Sequence, residues 1–455
     1  LLSGPVGAGK SHLARALIRA RLGAEVEVPS PSFTLVQTYE APDRSEIWHA
    51  DLYRLSNPDE VLELGLEAAF SSALCLVEWP DRLGRATPPG AHRLDLSHDG
   101  EGRIARFDSP DAGLVPGWLR AEARHRLLEA NGWGGAASGF LAGDASDRSY
   151  DRLVRESDGA SAVLMDAPPG KGEDLGAFVR IATWLRGQGL SAPEILARDQ
   201  AQGFLLLEDL GDDLFARVVK DRPALEPDLY RVATEVLCHL QNAPAPDGLP
   251  CLTPAEWAEA AAFALDWYAF AATGEKPSHR ADFTACLTDL LARHADAPPV
   301  VILRDYHAEN LLWLPQRAGL ARVGILDFQS AQMGQPGYDL VSLIDDARRD
   351  VGEAAAEAAR RAFATAGGQA MADLAPSLAV LSAQRALRIL GVFARLSLVS
   401  GKTGYLPLAP RVWGHLQRAL AHPALAELAR ICEASLPAPE TARLDRICSL
   451  ANTCR

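Results

Sequence analysis

The stretch VILRDYHAENLLWL, residues 301–314, decides the fold of the larger part of this chain. Asp305 is followed five residues later by Asn310, and VGILDFQSAQMGQPGYDLVSL, 323–343, ends an apolar run on Asp327, seventeen residues beyond Asn310. Phosphoryl transfer to an alcohol explains that spacing. Asp305 would accept the proton of the attacking hydroxyl, Asn310 on the same loop would hold one Mg²⁺, and Asp327 would arrive from the next hairpin strand to bridge metal and ATP. The plainer alternative makes the three residues ordinary loop and cap residues, which the apolar runs on both sides disfavour. His307 either orders this loop or is a solvated or capping histidine. Asp339, in GYDLVSL, either caps a helix or braces the loop. Trp313 and Tyr338 are core candidates.

Outward from that stretch, 455 residues suggest roughly three compact units, and 48% hydrophobic with 23% charged residues is an ordinary globular composition. No run of 18 uncharged apolar residues and no apolar leader is present, so no membrane association and a cytoplasmic setting are expected. The seven scattered cysteines contain no C-x-x-C pair, which points to free thiols rather than a zinc or disulfide framework. A net charge of −14 argues against tight, direct nucleic-acid binding, because an acidic surface repels phosphate backbones.

Residues 1–107 alternate strand-like and helix-like stretches. FDSPDAGLVPGW, 107–118, gathers Gly, Pro and Asp and reads as a linker, assigned to 108–118. A small sheet-bearing lobe is expected over 119–212, a helix-rich lobe over 213–440 and a tail over 441–455. The fold class expected is an α/β P-loop domain followed by a two-lobed, protein-kinase-like α+β domain.

The chain begins LLSGPVGAGKSHLARAL, in which Gly4-Pro5-Val6-Gly7-Ala8-Gly9-Lys10-Ser11 fits the phosphate-binding loop G-x-x-x-x-G-K-[ST]. Backbone N–H groups of Gly4, Val6, Gly7, Ala8 and Gly9 would cradle phosphate, Lys10 would neutralise it and Ser11 would ligate Mg²⁺. The strand that should precede the loop is reduced to Leu1-Leu2, so the chain is expected to be a fragment lacking an N-terminal strand and helix. In IWHADLYRL, 47–55, alternation places Ile47, His49, Asp51 and Tyr53 on one face, and LCLVEWP, 74–80, ends in Glu78. Acids at strand ends beside a P-loop are where Mg²⁺-linked and water-orienting carboxylates sit, although each is also an unremarkable strand-end residue.

SGPVGAGKS, VPSPSFTLVQ, HADLYRL and VEWP together resemble, in order and spacing, the TsaE family of bacterial ATPases that serve tRNA threonylcarbamoyladenosine modification. The resemblance covers residues 1 to about 107. It implies phosphate and Mg²⁺ at Lys10 and Ser11, metal support by Glu78, hydrolysis assisted by Asp51, Thr34 in a mobile loop facing the nucleotide, and docking onto other threonylcarbamoyl-transfer proteins. Ser32 stands where that family usually has Thr and keeps the hydroxyl.

The second region, about 119–440, resembles the aminoglycoside phosphotransferase superfamily, with RDYHAENLLW for H-G-D-x-H-x-x-N and ILDFQ for the metal strand. Leu303 replaces a loop-bracing His. LAGDASDRSYDRL, MDAPPGKGED and LLLEDLG bring the likeness close to the anomeric kinases of N-acetylmuramate and N-acetylglucosamine (AmgK), which implies ATP, Mg²⁺, a small-molecule sugar substrate and cell-wall recycling. Kinase logic asks for a lysine on the third strand of the small lobe, where Met165 stands; either Arg148, Arg152 or Lys171 supplies the charge, or ATP binding is weak. LAGDASDRSY, 141–150, is expected to cover the phosphates. The expectation is a bifunctional, ATP-using phosphotransferase and ATPase. Its rivals are a kinase of another small alcohol, such as an aminoglycoside, choline or homoserine, and a nucleotide-regulated module on a catalytically dead scaffold.

Overall fold

The computed structural model describes residues 1–22, 26–55, 60–100, 102–111, 114–143, 148–170 and 175–453. They form two compact units, 1–130 and 131–455.

The first unit is a six-stranded mixed sheet in the order β2-β3-β4-β1-β5-β6. Its strands are β1 (Leu2–Ser3), β2 (Val36–Glu40), β3 (Glu46–Asp51), β4 (Leu74–Glu78), β5 (Arg93–Asp99) and β6 (Gly102–Asp108). Helix α1 (Lys10–Leu22) follows β1 through the P-loop and buries Lys10, Ala14 and Ile18, one residue per turn. β1 runs parallel to β4 and β5, and β3 parallel to β4, with Leu2 and Asp51 both paired to Glu78. The P-loop, Asp51 and Glu78 therefore meet at the carboxyl ends of three adjacent strands, where open α/β sheets place ligands. Ile47, His49 and Asp51 share a buried face, as alternation predicts. Tyr53 does not: β3 ends at Asp51, and Tyr53 is exposed against Trp79, 5.0 Å between ring centroids.

Helix α2 (Leu114–Ala130) starts inside the stretch that reads as a linker. Pro116 sits in its first turn, where no intrahelical N–H bond is lost, and Trp118 stacks on Phe107 at 5.8 Å.

The second unit opens with an antiparallel sheet, order β10-β11-β9-β8-β7. The strands are β7 (Ala137–Gly143), β8 (Ser149–Val154), β9 (Ser161–Asp166), β10 (Ile195–Asp199) and β11 (Phe204–Glu208). Helix α3 (Leu175–Gly187) covers it with Leu175, Phe178, Ala182 and Leu185, a 3-4-3 spacing that with Ile181 makes one apolar stripe. A helical body follows, interrupted by β12 (Val300–Ile302), β13 (Leu311–Trp313), β14 (Val323–Ile325) and β15 (Gln332–Gly334), paired β12–β15 and β13–β14. Helix α4 (Tyr338–Ile344) comes next, then α5 (Glu353–Gly367) and the 30-residue α6 (Met371–Ser400). By length and composition α6 could cross a membrane, yet 61% of its most apolar window is buried in the protein. It is a core helix: a Cβ on Gly391 would lie 2.2 Å from the backbone of Phe263. The stretch expected as a tail holds helix α7 (Thr441–Ser449), whose Ile447 is fully buried, because an amphipathic turn with one large aliphatic residue can still dock on a core.

Candidate active sites

The first site is local. Gly4, Gly7 and Gly9 all have positive φ, and a Cβ on Gly4 would meet the Leu96 carbonyl oxygen at 2.2 Å, so the turn admits only glycine at its first position. Ala8 is buried and Val6 is exposed. The Lys10 ammonium donates to the carbonyls of Gly4 (2.7 Å) and Pro5 (2.9 Å) and lies 3.9 Å from the centre of the Trp79 ring. Burial lowers its pKa, and the nearby Glu78 and Asp51 oppose that shift. Ser11 Oγ donates to Glu78 Oε2 at 2.7 Å, while His49 Nε2 lies 2.9 Å from Glu78 Oε1. Asp51 accepts from Ser32 Oγ at 2.6 Å, so the hydroxyl retained at that position is in use. Thr34 is exposed beside Phe33, on whose ring Arg54 lies at 4.4 Å. Sequence reasoning placed His49 on the right face without a role; its pairing to Glu78 depends on the β3–β4 register, which no local pattern shows.

The second site is assembled from distant segments. Asn310, Asp327, Leu312, Leu326 and Phe328 face Tyr150, Arg152, Val163, Leu207 and Leu210 across a cleft of about 430 Å³, within the range that holds small-molecule cofactors. Asn310 Nδ2 donates to the Asp305 carbonyl (2.8 Å) and approaches Asp327 Oδ2 (3.4 Å), linking the two loops. The antiparallel β13–β14 pair, with Leu311 opposite Ile325, brings residues 310 and 327 together. Arg304 and Asp327 both adopt positive φ, 73° and 54°, at sites where glycine would be easier. What holds the first of them is Asp339. Its carboxylate accepts from the N–H groups of Leu303 (2.6 Å) and Arg304 (2.8 Å), so the alternative left open for Asp339 resolves as the loop brace; the residue preceding α4 is Gly337. Burial pushes the Asp339 carboxyl up to about 6, against the lowering effect of those two N–H bonds.

His307 is buried and not solvated. Its Nε2 lies 2.9 Å from Arg348 Nη1, and burial, then Arg348 and Arg385, hold its pKa well below the ordinary value. A guanidinium only donates, so the imidazole is neutral with Nε2 accepting. Arg348 also pairs with Glu309 at 2.9 Å and lines the cleft. Neither Arg348 nor Gln329, which donates to Asp327 Oδ1 at 2.6 Å, stood out in the sequence, since a polar residue next to a motif carries no periodic signal.

Met165 is fully buried, on the same sheet face as Val163 and opposite Tyr150 and Leu205. Of the three candidate cations, Arg148 Nη2 lies 3.6 Å from Asp327 Oδ1, whereas Arg152 is held by Asp209 and Asp212, each at 2.8 Å. Lys171, like residues 144–147 of the loop expected over the phosphates, lies outside the described residues.

A P-loop sheet in one unit and a small lobe, a cleft and an Asp-Asn-Asp loop set in the other define a nucleotide-binding domain joined to a kinase-like phosphotransferase. The chain belongs to the phosphotransferase enzyme family (APH), whose family model matches residues 139–376, and residues 1–106 match the model for the threonylcarbamoyl adenosine biosynthesis protein TsaE. It is 38% identical to the N-acetylmuramate/N-acetylglucosamine kinase of Caulobacter vibrioides, over 68% of this chain and 94% of that protein. With the Pseudomonas aeruginosa protein of the same description it shares 34% identity, over 68% and 93%. The first region is 43% identical to the tRNA threonylcarbamoyladenosine biosynthesis protein TsaE of Rickettsia bellii, over 21% of this chain and 66% of that protein. The chain thus spans slightly less than two thirds of that relative.

Proposed function

We propose that residues 131–455 transfer the γ-phosphoryl group of ATP to the anomeric hydroxyl of N-acetylmuramate or N-acetylglucosamine. The observation that carries this reading is Asn310, bonded to the Asp305 carbonyl on one side and facing Asp327 on the other, inside the cleft. Asp305 accepts the proton as the hydroxyl attacks. Asn310 and Asp327 offer oxygen donors of the kind Mg²⁺ takes, and no group of three His, Cys, Asp or Glu side chains forms a closed metal cage among the described residues. A metal held by one or two protein oxygens together with phosphate oxygens fits that donor set, and it would neutralise charge on the phosphates. Arg148 supplies the cation that the buried Met165 cannot. The similarity to sugar kinases over 94% of one relative supports the choice of acceptor.

For residues 1–130 we infer ATP hydrolysis in the service of tRNA threonylcarbamoyladenosine formation, carried out in concert with other threonylcarbamoyl-transfer proteins. Lys10 and the loop amides would bind phosphate, Ser11 and Glu78 would hold Mg²⁺, Asp51 would orient water and Thr34 would face the nucleotide. Both activities draw on cytoplasmic ATP, and the described cysteines are free thiols, as a reducing compartment keeps them.

A coupled ADP-release assay over a panel of sugars and alcohols tests the kinase reading. N-acetylglucosamine should be phosphorylated, its 6-deoxy analogue should still react, and its methyl glycoside should bind without turnover. Turnover of the methyl glycoside and none of the 6-deoxy sugar would move the phosphorylated position elsewhere on the ring.

A further inference from the structure

Arg348 carries a charge that the proton transfer at Asp305 and the metal donors leave unused. It follows α4 in a turn fixed from within: its own N–H donates to Asp346 Oδ1 at 2.8 Å, and Asp346 is fully buried. The side chain reaches back 41 positions to the loop of Asp305, where Nη1 donates to His307 Nε2 at 2.9 Å and Nε stands 2.9 Å from Glu309 Oε2. The same ring nitrogen of His307 lies 3.4 Å from Asn310 Nδ2. One imidazole therefore sets the Arg348 guanidinium beside the amide that faces Asp327, and Glu309, Asn310, Asp327 and Arg348 all line one cleft.

Those contacts leave donors over. A guanidinium has five N–H bonds. Nη2, which carries two of them, has no hydrogen-bond partner among the described residues, and the side chain remains 36% exposed. His307 is buried and neutral, so it orients the arginine without cancelling its charge. Glu309 is 47% exposed, where solvent screens an ion pair. Arg152, which enters the same cleft from the small lobe, is instead held by Asp209 and Asp212. A fixed cation with spare N–H groups, next to Asn310 and Asp327, matches the need of a transferring phosphoryl group, whose negative charge is spread over three equatorial oxygens and is best met by donors already in place.

We propose that Arg348 is a catalytic residue of the second site, its guanidinium binding the equatorial oxygens of the phosphoryl group as that group passes from ATP to the acceptor hydroxyl. In this step the bond between the γ-phosphorus and the β,γ-bridging oxygen breaks, the acceptor oxygen bonds to phosphorus, its proton goes to Asp305, and ADP leaves with the bridging oxygen. Arg348 takes no proton and stays charged throughout, and its planar fork can meet two phosphoryl oxygens at once. The inference rests on phosphoryl transfer itself and draws on the sugar reading only for the acceptor used in the assay.

Arg348→Gln keeps an N–H donor for His307 and loses the charge. It should lower kcat for N-acetylglucosamine phosphorylation by about 10²- to 10³-fold, the range for removing one preorganised donor, with the KM for ATP little changed. Arg348→Lys should recover part of that loss. Binding supplies a readout that a purely structural role would not move. In the full chain carrying Lys10→Ala, so that the second site reports, calorimetry should find ADP with Mg²⁺ bound equally well with and without Arg348→Gln. ADP with Mg²⁺ and aluminium fluoride, a mimic of the planar phosphoryl group, should bind more weakly in Arg348→Gln by a factor close to the loss in kcat. An unchanged kcat overturns the proposal. So does an equal loss of affinity for ADP and for the fluoride complex, which would make Arg348 a ground-state phosphate ligand, and so does a loss confined to N-acetylmuramate, which would seat that sugar's carboxylate there. If the unsubstituted protein phosphorylates no sugar, the sugar reading has failed, while the comparison of ADP with its fluoride complex still decides the role of Arg348.

Discussion

The two candidate phosphate sites of this chain are built in opposite ways. In the first unit the cradle is a single turn, residues 4–11, and its acids are nearly dry: Glu78 is 1% exposed and Asp51 5%. In the second, no run of eight residues suffices. Arg148, Asn310 and Asp327 come from separate elements, and the Asp327 side chain remains 40% exposed. The closed site holds its groups against one another, with Ser11 on Glu78 and Lys10 on its own loop carbonyls. In the open cleft Asn310 and Asp327 bond mainly to neighbours in their own loops, Asp305 and Gln329, and stand 3.4 Å from each other, at the long limit of a hydrogen bond. A local motif buries its charges, whereas a distributed site needs a brace, and Asp339 is that brace.

The largest effect should come from the distributed site. Asp305→Asn should lower sugar-kinase turnover by roughly 10²–10⁴ with ATP affinity little changed, since the metal-facing groups survive. Single-turnover and nucleotide-binding measurements on the full chain check both halves. Next, Lys10→Ala should reduce ATP hydrolysis at the first site by roughly 10²–10³ and leave sugar phosphorylation in place, because the cradles are separate. Loss of both activities would merge the two sites into one.

Asp339→Asn tests the brace. An amide oxygen can accept one of the two N–H bonds, while its NH₂ group faces the other donor, so a buried N–H is left unpaired at a cost of about 1–3 kcal/mol. Chemical denaturation should show that loss, and kcat should fall because Arg304 and Asp305 are no longer held. Unchanged stability and kcat would remove the brace from the comparison.

The smallest effects are pH slopes of opposite sign. Asp339, raised from 3.8 to about 6, binds a proton in the native state that the unfolded chain releases; its contribution is full below 3.8 and lost as pH rises through 6. His307, held below 6.5, stays neutral when folded, so its contribution is present above 6.5 and lost as pH falls toward its depressed native value. In stability-versus-pH curves, His307→Gln should flatten the acid-side loss and Asp339→Asn the rise toward pH 4. If both variants parallel the unsubstituted protein between pH 4 and 6.5, the electrostatics assigned to the brace and the buried imidazole are wrong.

Several residues show where sequence reading reached its limit. Met165 and Arg148 pose the missing-cation question in the sequence, and only the fold brings Arg148 to Asp327 from 179 positions away. Tyr53 fits the alternation and still leaves the sheet, because periodicity does not mark the residue at which pairing stops. His307 could be read as solvated or as an ordering residue, and burial decided it.

What the sequence determined by itself is whatever a few contiguous residues can enforce: the glycine turn of 4–11, the Asp305–Asn310 spacing, the helix after the P-loop and the acid at the end of each apolar strand. Backbone sterics and side-chain period act over less than about ten residues, so such features are complete within a short reading frame. Tertiary structure decided the rest: Glu78 between Ser11 and His49, Asp339 beneath Leu303 and Arg304, and Arg348 on His307. Those contacts join residues from 29 to 67 positions apart, and which of many possible partners meet is set by strand register and helix packing, which local sequence does not encode.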